Sequence, residues 1–355
     1  MTIEAWPKNG LEYLGKCPVC GYAGRTLLHD SLHDRLFGAP GLWTMYRCHG
    51  CRSGYLDPRP NQKTIALAYR SYGTHESASV RERTGLARLR VKMRNGYLNK
   101  RYGYNQQPAS TIGYWVMQAM PAPIRSEWDH FARNLPQPGG QSNCLLDVGC
   151  GNGQFLIAAR DAGWDVTGTE PDPVAAAQVV ANGIPIHVGA YESATFAKSS
   201  FDVITANQVL EHVHDPLAFV RKMHDWLRPG GLLWIGTPNI ESPLHERFGS
   251  DYLALHPPYH LVVLNKNSLL DLIEAAGLSP RSFFPHGMNE YNEFKSSAGL
   301  AKGLTGNEVN YGVKNLGKRE LLLGLYHEFR AWISKDSCSD LVLLCEKPVD
   351  GQPAG

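Results

Sequence analysis

Residues 144–153 read CLLDVGCGNG, and this stretch decides the fold. An apolar run ends at Val148, glycine stands at positions 149, 151 and 153, and helical spacing begins near Gln154. Glycines at a strand-to-helix turn let the backbone bend sharply and let a ligand approach it closely. Glu170 follows 17 residues after Gly153, at the end of the next predicted strand, where a carboxylate can accept hydrogen bonds from both ribose hydroxyls. The pattern predicts a nucleotide-binding crevice.

The two common phosphate-binding patterns do not fit this turn. A dinucleotide fingerprint needs glycine or alanine three positions after Gly151, where Gln154 stands, and the Lys-Ser/Thr pair of a P-loop is absent from the sequence here. Asp147 at the end of the strand also places a negative charge where a pyrophosphate would lie. The turn therefore favours a cationic ligand.

The spacing Asp147-x-Gly149-x-Gly151-x-Gly153 resembles motif I of the class I S-adenosylmethionine-dependent methyltransferases. Later segments agree in order and spacing. FDVI at 201–204 followed by NQVLEHV at 207–213 is similar to the family's fourth strand and following helix, and LRPGGLL at 227–233 is similar to the turn before its fifth strand. The resemblance covers about residues 140–280 and the terminal strand near 341–347.

Short apolar runs alternate with helical stretches from residue 144 onward. The runs are CLLDVG, WDVTGTE, IPIHVG, FDVITA, LLWIGTP and, late in the chain, LVLLCEK. This alternation is typical of a parallel sheet covered by helices. Together with the resemblance, it predicts an α/β chain: a zinc ribbon over 1–60, a helical, basic linker or lid over 61–140, and a Rossmann-like methyltransferase domain over 141–350. That domain is expected to hold a mostly parallel seven-stranded sheet and an insertion near 287–335.

The resemblance also implies which positions hold S-adenosylmethionine. The loop of Gly149, Gly151 and Gly153 would accommodate the amino-acid portion of the cofactor. Asp147 would lie nearby and contact the amine of that portion or a water. Glu170 would hold the ribose. Tyr191 and Glu192 stand at the implied positions that flank the adenine. Asn207 and Gln208 follow the carboxyl end of the fourth strand, where they would face both the cofactor and the acceptor.

Methyl transfer is an in-line displacement at a sulfonium carbon, so the enzyme mainly positions the reactants and, for an oxygen acceptor, removes a proton. Imidazole is the usual proton acceptor near neutral pH, and His212, His214, His256 and His260 are the candidates. His260 closes the proline-stiffened stretch HPPYH and is the predicted general base. Its alternative role is that of a structural histidine that donates to a backbone carbonyl. His212 fits the family's Glu-His pair and is expected to line the pocket.

Four of the eight cysteines form two CxxC pairs, Cys17-Pro-Val-Cys20 and Cys48-His-Gly-Cys51, which 27 residues separate. Each pair places two thiolates on one tight turn, and two pairs complete a tetrahedron around Zn²⁺ at about 2.3 Å. The alternative is a set of unliganded thiols or a redox pair. Because four thiolates leave no open position for water, the predicted zinc is structural. His29, His33 and His49 lie nearby in the sequence and are not expected to be ligands.

A strongly basic segment covers residues 80–101. Its single acid is Glu82, and its cations are Arg81, Arg83, Arg88, Arg90, Lys92, Arg94, Lys100 and Arg101. The segment is interpreted first as a solvated helix face over a domain junction. Two alternatives stay open: arginines that clamp a phosphate or diphosphate on the acceptor, and contact with an RNA backbone.

Composition places the chain among globular proteins. Its 355 residues are 43% hydrophobic and 19% charged, with a net charge of +2 that excludes a strong overall preference for polyanions. The apolar runs fall short of a membrane span, and the first residues lack the pattern of a secretory signal, so a cytoplasmic location is expected.

The cysteine pairs followed by YLDPRP at 55–60 and by Tyr69 and Tyr72 resemble small-molecule methyltransferases of glycan and natural-product pathways. The resemblance implies methyl transfer from S-adenosylmethionine to a sugar or natural-product intermediate at oxygen, on an acceptor that can carry a phosphate or nucleotide. A zinc-ribbon RNA methyltransferase is the alternative function, and a non-catalytic scaffold is the third. The oligomeric state stays open.

Overall fold

The computed structural model describes residues 3–71, 85–139, 142–311, 317–335 and 338–349. Four positions discussed above, Tyr72, Arg81, Glu82 and Arg83, lie outside the described residues. Within the described ranges, helices that combine the length and the apolar character of a membrane span are not found.

Short antiparallel strands make up the N-terminal part of the chain. They are β1 (Leu11–Glu12), β2 (Arg25–Leu32), β3 (Trp43–Cys48), β4 (Gly54–Leu56) and β5 (Arg59–Pro60), with 3₁₀ turns at Lys8–Gly10 and Ile65–Ser71. Strand β1 pairs with β5, whereas β2, β3 and β4 form one sheet. Turns between these strands present the cysteine pairs.

Three helices follow, α1 (Gly85–Tyr102), α2 (Gly113–Ala119) and α3 (Ala122–Phe131). One carboxylate joins α1 to α3: Asp129 Oδ1 accepts hydrogen bonds from the hydroxyls of Tyr97 at 2.8 Å and Tyr102 at 2.6 Å. Arg101 Nε lies 3.0 Å from the same oxygen and balances its charge. The basic helix is therefore held to the rest of the chain by its aromatic and charged side chains.

The remaining elements alternate between strands and helices. In chain order they are β6 (Cys144–Val148), α4 (Gln154–Asp161), β7 (Asp165–Glu170), α5 (Pro173–Ala181), β8 (Ile186–Val188), β9 (Phe201–Asn207), α6 (Pro216–Trp226), β10 (Leu227–Pro238), α7 (Pro243–Phe248), β11 (Val262–Val263), α8 (Lys266–Ala275), β12 (Ser279–Phe284), α9 (Asn289–Ala301), α10 (Asn307–Tyr311), α11 (Lys318–Ile333) and β13 (Asp340–Glu346). Single 3₁₀ turns lie at Leu210–His212, Gly249–Asp251 and Leu253–Leu255.

Seven of these strands form one sheet in the order β12-β13-β10-β9-β6-β7-β8. Strands β6 to β10 run parallel, and β13 lies antiparallel between β10 and β12. The predicted fold class, an α/β chain with a mostly parallel seven-stranded sheet, is thereby confirmed.

Both faces of the sheet are buried. Leu146 and Ile204 pack with Phe219 of α6 on one face, whereas Leu145 and Val203 pack with α4 on the other. Burial of one such side chain stabilises the fold by about 1.5–3 kcal/mol. This explains why the predicted strands are continuous apolar runs rather than alternating ones.

Strand β11 connects the N-terminal sheet to the later part of the chain. It pairs antiparallel with β4 through Val262 opposite Tyr55 and Val263 opposite Gly54. The side-chain amide of Asn265, which caps α8, donates to the carbonyl of Cys51 at 2.8 Å. The cysteine turns and the loop that contains His260 are therefore parts of one hydrogen-bonded structure.

Candidate active site and cysteine centre

The glycine turn lies between β6 and α4. Gly149, Gly151 and Gly153 all have positive φ, at 69°, 54° and 78°, so a side chain at each position would be strained. A Cβ at Gly149 would lie 2.7 Å from Val209 Cγ2, and one at Gly153 would lie 2.9 Å from Val179 Cγ2. A Cβ at Gly151 would meet no atom within 4 Å. The middle glycine is therefore open to a ligand, while the outer two are required by close packing.

Glu170 reaches this turn from the end of β7. Its Oε2 accepts the backbone N–H of Gly151 at 2.8 Å, and its Oε1 accepts that of Asp172 at 2.9 Å. Burial raises the pKa of the carboxyl. Each oxygen keeps a second lone pair, so the carboxylate is held in place and can still accept a ribose hydroxyl.

Asp147 lies inside the protein below the glycine turn. It is 3% exposed, and its Oδ1 accepts the hydroxyl of Thr205 at 2.6 Å. Burial raises its pKa, and the positive charge of Arg133 opposes that rise. The guanidinium of Arg133 lies over the rings of Phe155 and Trp234. The charge of Asp147 is thus balanced by an arginine that sequence reasoning missed.

The other predicted cofactor residues differ in environment. Asn207, at the end of β9, buries an Oδ1 atom for which the described residues provide no hydrogen-bond partner. Gln208 donates through Nε2 to Asp340 Oδ2 at 3.1 Å. The ring of Tyr191 packs against Phe219 in the core, and Glu192 is exposed.

These residues fit S-adenosylmethionine. A turn with an open middle glycine admits a ligand close to the backbone, the fixed Glu170 oxygens suit a ribose diol, and the orphaned Asn207 Oδ1 offers an acceptor to a ligand N–H or O–H. Val209 links the glycine turn to the segment of Glu211 and His212, because it lies against the turn and stands two residues before Glu211.

The structure brings the two predicted catalytic histidines together. The rings of His212 and His260 meet edge to face with centroids 4.8 Å apart. His260 Nδ1 lies 2.7 Å from the carbonyl oxygen of Ala254, and His212 Nδ1 lies 2.9 Å from that of Tyr259. Since a carbonyl only accepts, both Nδ1 atoms carry hydrogen, and in the neutral rings both Nε2 atoms present a lone pair.

Glu211 faces the same two rings. Its Oε1 lies 3.9 Å from His212 Nε2 and 4.0 Å from His260 Nε2, while its Oε2 accepts the hydroxyl of Thr237 at 3.0 Å. The side chain is fully buried. Burial raises the pKa of Glu211 to about 8, lowers that of His212 to about 4 and lowers that of His260 well below its ordinary value.

The other two histidine candidates differ from this pair. His214 Nε2 contacts the carbonyl of Pro60 at 3.0 Å, which ties it to β5 and away from the two rings. The ring of His256 lies edge to face with that of His260, with centroids 5.2 Å apart. Sequence reasoning did not single out Glu211, although its place directly before His212 was the available signal. Tyr69 was noted only among the residues that resemble small-molecule methyltransferases, and its hydroxyl lies 3.1 Å from His212 Nδ1.

The described part of the basic segment is helix α1. Arg88, Arg90 and Lys92 are exposed there, and Arg90 lies 3.4 Å from Glu127 of α3. The ammonium of Lys100 lies over the ring of Trp115 at 4.2 Å. Contact of this helix with phosphate or RNA stays a prediction.

The four cysteines of the CxxC pairs converge at one point. Their sulfur atoms all lie within 4.8 Å of one another, with 3.6 Å between Cys17 and Cys51 and 3.5 Å between Cys20 and Cys48. The hydrogen bond from Cys17 lowers the pKa of the Cys51 thiol to about 5. Four sulfur donors at these distances fit a tetrahedral Zn²⁺. Of the nearby histidines, His49 contacts Thr26, and His29 contacts His245.

Comparisons with known proteins identify similarity to methyltransferases. A family model described as a methyltransferase domain matches residues 121–282. The ubiquinone biosynthesis O-methyltransferase of Haemophilus ducreyi is 34% identical over 125 residues, which cover 31% of this chain and 52% of that protein. The protein of the same name from Aeromonas salmonicida is 32% identical over 207 residues, which cover 54% of this chain and 82% of that protein.

The chain thus spans about half the length of the first relative and most of the second. Among solved structures, an S-adenosylmethionine-dependent methyltransferase from Mesorhizobium loti is similar at 19% identity and a TM-score of 0.40, with 65% of this chain and 99% of that one covered.

Proposed function

Because this chain belongs to the class I S-adenosylmethionine-dependent methyltransferases, we propose that it transfers a methyl group from S-adenosylmethionine to a hydroxyl group of a small molecule. The observation that carries the proposal is the convergence of His212 Nε2, His260 Nε2 and Glu211 Oε1, on the chain segment that begins with Val209 at the glycine turn. Relatives described as O-methyltransferases support oxygen as the atom that receives the methyl group. A sugar or a natural-product intermediate is the acceptor class that we propose.

In this proposal the glycine turn and the acids around it hold the cofactor, which supplies an activated methyl group. Gly149, Gly151 and Gly153 accept its amino-acid portion, with Asp147 behind them, and Glu170 accepts its ribose hydroxyls. Asn207 and Gln208 line the side toward the acceptor, and Tyr191 with Glu192 flanks the adenine. The carboxylate of Glu170 is suited to this role because its two backbone hydrogen bonds hold it in place before a ligand binds.

The histidine pair acts on the acceptor. A hydroxyl oxygen placed against the two Nε2 atoms donates its hydrogen to one of them, which raises the electron density on oxygen as it attacks the methyl carbon. His260 is the proton acceptor that we propose, since its Nδ1–H is anchored to Ala254 and its Nε2 lone pair faces the cluster. His212, anchored to Tyr259, orients the same hydroxyl.

The cysteine centre has a structural role in this proposal. Zn²⁺ held by Cys17, Cys20, Cys48 and Cys51 fixes the turns next to β4, which pairs with β11 near the His260 loop. Four thiolates leave the metal no open coordination position, so it supplies folding energy rather than chemistry.

Two measurements test the function. Calorimetric titration with S-adenosylhomocysteine should give one-to-one binding, and transfer of radiolabelled methyl from S-adenosylmethionine should occur with a hydroxyl acceptor from a panel that includes 3,4-dihydroxybenzoate, methyl glucoside and a nucleotide sugar. The substitution His260→Ala should lower kcat by about 100-fold or more while S-adenosylhomocysteine affinity stays unchanged. Absence of binding would refute the cofactor assignment, and transfer to bulk tRNA in place of the panel would refute the small-molecule assignment. Full turnover by His260→Ala at every pH would exclude His260 as the base.

A further inference from the structure

We propose that Glu211 is the group that finally holds the proton lost by the acceptor hydroxyl, which it receives at Oε1 from Nε2 of His260. This inference rests on the proposed function and extends it, because it assigns a destination to the proton and a role to a carboxyl buried behind the histidine pair.

Hydrogen bonding around Glu211 leaves one oxygen for this task. Its Oε2 accepts the Thr237 hydroxyl, whereas its fully buried Oε1 has no hydrogen-bond partner among the described residues. A buried acceptor without a hydrogen bond is costly, so Oε1 gains stability when a proton reaches it. The two histidine Nε2 atoms lie 3.9 and 4.0 Å from Oε1 and are the sources of that proton in the inference.

Burial favours the neutral form of Glu211. His212 follows it on the same turn, His260 faces it from the loop after α7, and the ring of His256 packs edge to face against that of His260. The negative charge of Asp340 on β13 also raises the pKa of Glu211, whereas the hydrogen bond from Thr237 on β10 lowers it. Burial raises the pKa of a carboxyl and lowers the pKa of an imidazole, so a proton is held more firmly by Glu211 than by His212 or His260.

The transfer can be written so that each proton and bond is accounted for. The O–H bond of the acceptor breaks, and its electron pair forms the new bond from oxygen to the methyl carbon as the bond from that carbon to sulfur breaks with its electron pair going to sulfur. The proton forms an N–H bond at His260 Nε2. The proton then passes to Oε1 of the Glu211 carboxylate, which becomes a carboxylic acid, and the imidazole returns to its neutral form. Release of the proton to solvent after product departure restores the carboxylate. Only the ionised form of Glu211 can begin this cycle.

The pH dependence of turnover tests the inference. For the acceptor of the panel that is methylated, kcat of the wild-type protein should rise with pH through a transition near the pKa of Glu211, about 8. Glu211→Gln should lower kcat by about 10-fold or more and remove this transition, with S-adenosylhomocysteine affinity unchanged. Glu211→Asp should keep the transition with a smaller loss of kcat. A Glu211→Gln protein that keeps the wild-type profile overturns the inference.

A second readout does not depend on turnover. In protein labelled with ¹³C-glutamate, the infrared band of protonated carboxyls at pH 7 should lose intensity in Glu211→Gln, where the part of the band from Glu290 and Glu293 stays, because burial raises the pKa of those carboxyls as well. Equal band intensity in the two proteins overturns the inference even if methyl transfer occurs, whereas failure of S-adenosylhomocysteine binding together with the loss of intensity refutes only the proposed function. Activation by Mn²⁺ in the wild type but not in Glu211→Gln would make Glu211 a metal ligand and would also overturn it.

Discussion

Replacement of Glu211 by glutamine should make the protein more stable, and the gain should grow with pH. The carboxyl has an ordinary pKa of 4.5 in the unfolded chain, and burial raises it to about 8 in the folded protein. Each unit of difference corresponds to about 1.4 kcal/mol. Below pH 4.5 the carboxyl is neutral in both states and its ionisation costs nothing.

Between pH 4.5 and 8 the unfolded state gains stability by ionising while the folded state does not. The free energy of unfolding therefore falls by about 3 kcal/mol at pH 7 and by about 5 kcal/mol well above pH 8. Glutamine stays neutral at every pH and can still accept the hydrogen bond of the Thr237 hydroxyl. The free energy of unfolding of Glu211→Gln therefore does not fall with pH for this reason.

Urea unfolding of both proteins at half-unit steps from pH 5 to pH 9 measures the effect. Other titrating groups contribute equally to the two proteins and cancel in the difference. Glu274→Gln is the matched control, since Glu274 is exposed on α8 and its carboxylate meets solvent in both states. A difference between Glu211→Gln and wild type that stays flat across this range would refute the assignment of a raised pKa to Glu211.

Three further predictions concern the cofactor and metal sites. Glu170→Ala should weaken S-adenosylhomocysteine binding in calorimetry by about 1.5–3 kcal/mol, or roughly 10- to 150-fold, because charge-assisted hydrogen bonds are lost; unchanged affinity would contradict its ribose role. Gly149→Ala places a Cβ 2.7 Å from Val209 Cγ2, whereas Gly151→Ala also lies at a positive φ but meets open space, so thermal unfolding should show the larger loss for Gly149→Ala. Equal losses would show that backbone strain alone matters. Cys48→Ser should lower zinc measured by mass spectrometry from one ion per chain and lower Tm together; full zinc content would place the metal elsewhere.

The cofactor half of the candidate site could be predicted from short stretches of sequence. Gly151 and Glu170 occupy fixed steps of a strand-turn-helix-strand unit, so their approach in space follows from local backbone geometry. The cysteine turns are predictable for the same reason, since each CxxC pair is one turn. The contact between the rings of Tyr191 and Phe219 is different, because it joins two separate segments of the chain and nothing in the spacing of the neighbouring residues indicates it.

The acceptor half of the site depends on contacts between distant parts of the chain. Glu211 and His260 are 49 positions apart, and their approach is set by Thr237 at the end of β10 and by the hydrogen bond from the Leu261 N–H to the Glu211 carbonyl. Pairing of β11 with β4, which joins the cysteine turns to this loop, is equally distant in sequence. Such contacts leave no periodic pattern in the residues that make them.

By itself, then, the sequence determined the parallel sheet, the glycine turn with its acid and the two cysteine pairs, because apolar periodicity and turn chemistry act over a few residues. Only the tertiary structure decided which histidines meet, that a carboxyl is buried between them, and that an arginine balances Asp147. Burial sets the protonation of those groups, and burial is a property of the packed fold rather than of any single stretch of the chain.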